Sequence, residues 1–142
     1  MTRRSQELAL EHGRWLEDYL TLVRPRISVF VLFAAFTGAL LGAGPDADLL
    51  RVALAALAVG LVGASSSVFN QVLERDTDRL MPRTAGRPLP SGRMSTRDAG
   101  LFGAALGLAG VTGLAVLFQT LSALLALSTL AAYVLVYTPL KR

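Results

Sequence analysis

Three stretches of the chain carry no charged side chain: Ile27–Pro45, Val52–Leu73 and Ala99–Leu140. The first two hold 19 and 22 residues. A helix rising 1.5 Å per residue needs about 20 to cross roughly 30 Å of hydrocarbon, so each predicts one membrane-spanning helix. The third holds 42 residues, about twice one span, and must fold back on itself. A polar cluster of Gln119, Thr120 and Ser122 sets its turn at Phe118–Ser122. Backbone groups in lipid must be paired internally, and these segments lack the alternation of a barrel strand. The expected class is therefore all-α, a polytopic helical bundle with transmembrane helices over 25–45, 52–73, 99–118 and 121–140. Residues 1–24 form a cytoplasmic or interfacial segment, and 74–98 a cytoplasmic loop.

The flanking residues fit these elements. Leu8, Trp15, Leu16, Tyr19 and Leu20 recur at helical spacing, as in a short helix lying in the membrane interface. A solvated tail is the alternative. Pro25 suits the first position of a helix. The connection Gly44–Leu50, with Pro45, Asp46 and Asp48, is short and acidic. Gly100, Gly103, Gly107, Gly110 and Gly113 are spaced by three or four, a stripe that lets another helix approach closely.

Composition agrees with this class and narrows the chemistry. The chain is 53% hydrophobic and 17% charged with a mean hydropathy of +0.52, which disfavours a water-soluble enzyme. It has no cysteine, so disulfides, thiolate metal sites and cysteine nucleophiles are excluded, and His12 alone forms no histidine cluster. The net charge of +4 and pI near 10.3 report topology more than nucleic-acid binding. Five basic residues (Arg3, Arg4, Arg14, Arg24, Arg26) precede the first span, and Arg51 alone lies in the first connection. Six (Arg75, Arg79, Arg83, Arg87, Arg93, Arg97) lie in the second, and Lys141 and Arg142 end the chain. Thirteen of 14 thus share one side, and the positive-inside rule makes that side cytoplasmic, with both termini inside.

The second connection carries the candidate chemistry. From Asn70 to Gly92 it reads NQVLERDTDRLMPRTAGRPLPSG. Asn70, Glu74 and Asp78 are four residues apart, so on a continuing helix they share one face. Asp76 lies off that face, but an extended backbone after Glu74 would project Glu74, Asp76 and Asp78 together. Either arrangement makes an oxygen-rich cage suited to Mg²⁺, which binds through one or two carboxylates and completes its shell with water and phosphate. Arg83 and Arg87 follow, and guanidinium groups bind phosphate in bidentate fashion. Carboxylates for a metal beside arginines for an anion suit a Mg²⁺-diphosphate. The same charges can instead pair with one another in a structural loop. Pro82, Pro88, Pro90 and Gly92 stiffen the segment. Ser65, Ser66 and Ser67 line a cavity or bond back to their own helix.

The string N-x-x-x-E-x-D-x-D-x-x-M-x-R-T-x-x-R-P-x-P-x-G resembles the first Asp-rich motif of the UbiA-type intramembrane prenyltransferases. Met81, Arg83-Thr84 and Arg87-Pro88 resemble the heme branch of that family more than its quinone-precursor branches. Arg24-Pro25-Arg26 before the first helix, and Tyr137-Thr138-Pro139-Leu140-Lys141-Arg142 at the end of the fourth, are similar to the family's pattern as well. Glu74 stands where the family usually has Asp, keeping the charge on a longer arm. The resemblance implies Mg²⁺-dependent transfer of a farnesyl group from farnesyl diphosphate to a vinyl carbon of protoheme IX, giving heme O. It implies that Asn70, Glu74 and Asp78 hold the metal, that Asp76 and Asp78 serve the catalytic centre, and that Arg83, Arg87 and Lys141 bind the diphosphate. The family's fold has approximately nine helices and a second Asp-rich motif, so the chain is expected to be an N-terminal part, inactive alone, of a protein of the cell inner membrane. Two alternatives remain: prenyl transfer to an aromatic or quinone-precursor acceptor, and a non-catalytic four-helix membrane protein.

The charge asymmetry makes a direct prediction. Single cysteines introduced at Asp48 and Ser91 of this cysteine-free chain react with impermeant maleimide from opposite sides of a sealed vesicle. Labelling of both from one side would contradict four spans.

Overall fold

A computed structural model describes residues 14–140. Leu8 of the N-terminal apolar pattern and Lys141 lie outside the described residues. Residues 14–23 are helical (α1), followed by α2 (Pro25–Ala43), α3 (Leu49–Leu73), α4 (Arg75–Leu80), α5 (Thr96–Leu117) and α6 (Thr120–Ala132). The last continues through a π-helical turn, Tyr133–Tyr137, into a short turn at Thr138–Leu140. Four of these helices are long and apolar enough to cross a membrane: Pro25–Ala43, Leu49–Leu73, Thr96–Leu117 and Thr120–Tyr137.

Local chemistry explains where each begins and ends. At Arg24 the backbone is left-handed, with φ 53°, and Pro25 then opens α2. The last carbonyls of α1 are taken by side chains: Ser28 Oγ donates to Val23 O at 2.8 Å and Gln71 Nε2 to Leu22 O at 2.7 Å. Gly44, at φ 77°, ends α2. Asp48 caps α3 by accepting from the backbone of Leu50 and Arg51, and Ser95 caps α5 by accepting from Asp98 N. These caps start both helices three residues ahead of the uncharged stretches, because a cap and first turn sit in the polar interface. The fold-back between α5 and α6 is tighter than Phe118–Ser122, with only Phe118 and Gln119 between the helices. Arg51 spans this end of the bundle, donating from Nη2 to Leu117 O at 3.3 Å with its guanidinium 5.7 Å from the Phe118 ring centre. It thereby satisfies a carbonyl at the end of α5.

α3 is the central element, packed on α5, α2 and α6. Its contact with α5 runs along the glycine stripe. A Cβ on Gly103 would lie 3.0 Å from the Val68 side chain, one on Gly107 2.8 Å from Ser65 Oγ, and one on Gly110 2.6 Å from Ala58 O. Gly113 makes ordinary contact, and Gly100 meets nothing within 4 Å. Ser65 Oγ crosses the interface to Gly103 O at 2.7 Å, and Ser66 bonds back to Val62 O. At the loop end, Leu22, Val68, Leu89, Met94 and Ala99 form a buried cluster joining α1, α3, the loop and α5. By contrast, α2 buries no residue and α6 only Ala123, leaving Phe30, Phe33, Leu121 and Leu125 outward. Lipid accommodates such faces.

The stripe yields a graded test. Gly110→Ala forces a methyl group against the backbone of α3 and should destabilise the bundle by about 1–3 kcal/mol, read as a lower melting midpoint in micelles. Gly100→Ala, in open space, should be neutral or slightly stabilising.

Candidate functional site

The site forms where α3 passes into α4. Glu74 caps the end of α3 and interrupts the helix for one residue, its N–H bonded to Asn70 O at 2.9 Å. Its own carbonyl accepts from Asp78 N at 2.8 Å, so α4 continues nearly in line. The backbone is thus helical through the motif, and Asn70, Glu74 and Asp78 follow one another along one side. Asp76 falls off that side. It is 80% exposed and paired with Arg75 at 3.1 Å.

The loop beyond α4 folds back beneath these residues. Thr84, buried, donates from Oγ1 to Asp78 O at 2.8 Å. Arg79 Nε donates to Pro90 O at 3.1 Å. Arg93 pairs with Asp18 of α1 at 3.0 Å and also donates to Gly86 O. Leu89 anchors the loop in the apolar cluster, and Pro88 before it is buried. These ties bring Arg87 to Asp78, with Nη1 2.7 Å from Oδ2. The Asp78 side chain is 8% exposed and the Arg87 side chain 27%, so the carboxylate is buried with its charge partnered.

A cleft of about 480 Å³ opens here, lined among others by Arg24, Glu74, Asp78, Arg83, Thr84 and Arg87. Three guanidinium groups face two carboxylates, an excess of one positive charge. The structure therefore brings Glu74, Asp78, Arg83 and Arg87 to one cleft. Asn70 does not line it: the residue is buried, and both ends of its amide are engaged. Its Nδ2 donates to Glu74 Oε2 at 2.6 Å, and its Oδ1 accepts from the Tyr133 hydroxyl at 3.2 Å. Among the described residues no three His, Cys, Asp or Glu side chains group closely enough to hold a metal ion by themselves. Two carboxylates beside three guanidinium groups nevertheless fit Mg²⁺ carried on a diphosphate, because such an ion takes one or two carboxylates and fills its shell from phosphate and water.

Two contributors come from outside the motif. Arg24 reaches the cleft from the start of α2, whereas the sequence marks it only at the entry to the first span. Tyr133 approaches from α6, 63 residues from its partner, and no pattern in the sequence points to it. Farther along α3, an apolar cavity of about 520 Å³ is lined by Val59, Val62, Gly63 and Ser66, with Leu125 and Thr129 of α6. Ser66 lies four residues before Asn70, so cavity and cleft share the side of α3 that carries Glu74.

The pattern that defines the UbiA prenyltransferase family matches residues 31–142. Among curated proteins, the chain is 39% identical over 137 residues to a protoheme IX farnesyltransferase of Solibacter usitatus, covering 89% of this chain and 47% of that protein. It is 42% identical over 123 residues to one from a Synechococcus strain, covering 87% and 37%. A third, from Alkalilimnicola ehrlichii, is 34% identical over 128 residues, covering 89% and 42%. The chain spans less than half the length of each of these relatives. No solved structure matches it. Four membrane-length helices together with the family match identify an integral membrane protein.

The Asp78–Arg87 pair can be tested by itself. Arg87→Ala leaves a buried carboxylate without its counter-charge and should cost about 1–3 kcal/mol of stability. The double variant Arg87→Ala/Asp78→Ala should cost less than the sum of the two single ones. Additive melting shifts in micelles would show that the pair is not coupled.

Proposed function

This chain belongs to the UbiA prenyltransferase family, and on that premise we propose that it supplies the diphosphate-binding half of a farnesyltransferase acting on protoheme IX. The substrates are farnesyl diphosphate and protoheme IX, the product is heme O, and the site is completed by a C-terminal half such as the relatives possess. The single observation that carries this reading is the cleft at the end of α3. There Glu74 and Asp78 are held beside Arg24, Arg83 and Arg87, a combination complementary to a metal-bound diphosphate.

Glu74 and Asp78 would hold Mg²⁺, with Asn70 supporting Glu74 from behind. We leave Asp76 out of the ligand set because it is exposed, paired with Arg75 and not among the residues that line the cleft. The ion supplies charge neutralisation to the departing diphosphate. Arg83 and Arg24 line the cleft where phosphate oxygens would lie, and Lys141 is assigned to the same anion by resemblance to the family. Arg87 has a double use. A guanidinium carries five N–H donors; here Nη1 bonds to Asp78, and the remaining fork can address phosphate while the carboxylate fixes its orientation. The apolar cavity on the same side of α3 suits the prenyl chain and keeps water from an allylic cation. The uneven distribution of basic residues along the sequence supports a cleft that opens to the cytoplasm, and by resemblance to the family the protein is assigned to the cell inner membrane.

Residues 1–142 joined to the C-terminal half of a protoheme IX farnesyltransferase should convert protoheme IX and farnesyl diphosphate to heme O, detected by mass spectrometry. The 142 residues alone should insert without forming product. A prenylated aromatic acid in place of heme O would overturn the acceptor assignment. In the joined enzyme, Arg87→Lys keeps the charge but loses the planar fork, so KM for farnesyl diphosphate should rise about tenfold. An unchanged KM would make Arg87 structural only.

A further inference from the structure

Asn70 is buried beside the cleft, 2% exposed, and does not line it. Its amide is held from two directions. The Tyr133 hydroxyl donates to Oδ1, and Nδ2 donates to Glu74 Oε2. A buried amide oxygen without a donor costs about 1–3 kcal/mol, and among the described residues no buried side-chain nitrogen or oxygen lacks a partner. The tyrosine therefore fixes the amide with its NH₂ end toward Glu74.

The backbone of α6 is shaped for this contact. Tyr133 opens the π-helical turn, a widened turn that locally redirects side chains and is frequent at functional sites. Its carbonyl is pinned by Thr138, which donates both its N–H and its Oγ1, the latter at 2.9 Å. Thr138 is itself fully buried. The ring of Tyr133 stacks on Tyr137, with centroids 5.2 Å apart. Backbone and ring are thus both held while the hydroxyl reaches 63 residues back to α3.

We propose that Tyr133 is a positioning residue for the cleft, acting through Asn70 to hold the Glu74 carboxylate in place, so that the fourth membrane helix sets the geometry of a ligand on the second. This rests on the reading of Glu74 as a ligand for a metal-bound diphosphate. Partners one step removed from a metal ligand commonly change affinity by about 10- to 100-fold when lost, and removing a single hydroxyl belongs at the lower end.

Asn70 is the only asparagine in the sequence, so ¹⁵N-asparagine labelling reports one side-chain amide. In the metal-free chain in nanodiscs, the two Nδ2 protons should be distinct and protected from exchange. Tyr133→Phe should merge them or speed exchange several-fold, with helix content by circular dichroism unchanged. Mn²⁺ binding in the presence of inorganic diphosphate, followed by electron paramagnetic resonance, provides the second measurement. Tyr133→Phe should weaken it about tenfold and Glu74→Gln at least as much, while adding Tyr133→Phe to Glu74→Gln should change nothing more. An Asn70 signal indifferent to Tyr133→Phe would overturn the relay. Mn²⁺ affinity that falls with Glu74→Gln but not with Tyr133→Phe would do the same. Mn²⁺ affinity indifferent to Glu74→Gln would instead overturn the assignment of Glu74 and the proposal with it, and the amide signal distinguishes that failure from a broken relay.

Discussion

The separation of the α3 and α5 backbones governs the rest of the molecule. Lipid tails are as apolar as leucine, so helices in a bilayer are not driven together by exclusion from water. They associate through close van der Waals packing and the polar links that proximity permits. Gly103, Gly107 and Gly110 provide that proximity, and Ser65 uses it to reach the carbonyl of Gly103. With α5 seated this closely, Ala99 and Phe102 at its loop end complete the cluster that holds Leu89 and Met94. The loop is tied to the bundle as a consequence of a helix contact made deeper in the membrane.

At the loop end, burial and charge act together. Gln71 and Ser28 close the end of α1, and Asp18 on α1 receives Arg93 from the loop. Thr84 folds the chain back to α4. These contacts constrain a segment rich in arginine, proline and glycine to one path, and that path leads Arg87 to a nearly buried Asp78. Were the loop free, its carboxylates and guanidinium groups would pair in many exposed combinations, each contributing little. Confinement leaves one strong pair, with Arg24 and Arg83 gathered beside it around a single opening.

The spans were legible in the sequence because bilayer thickness is a severe constraint on length. The side shared by Asn70, Glu74 and Asp78 was legible because helical periodicity continues across the break at Glu74. The same periodicity takes Asp76 off that side, since the backbone is helical and not extended there. Residues supplied by distant segments were not legible as site residues. Arg24 stood out as part of the approach to the first helix, while its place in the cleft depends on how α2 packs against α3. Tyr133 depends on a π-helical turn within an otherwise uniform apolar run, and no local pattern announces it. Arg51 illustrates a different limit: a count of charges records it as the sole exception on its side, whereas the structure gives it the end of α5 to satisfy.

Arg24 combines an unfavourable backbone with a useful side chain. A left-handed conformation costs a residue with a Cβ about 1–3 kcal/mol, and glycine would adopt it freely. Glycine, however, would remove a cation from the cleft. If the cleft binds the proposed anion, thermostability and recognition pull this position in opposite directions, and a lineage or laboratory selecting only for a sturdier fold would be drawn toward the residue that impoverishes the site.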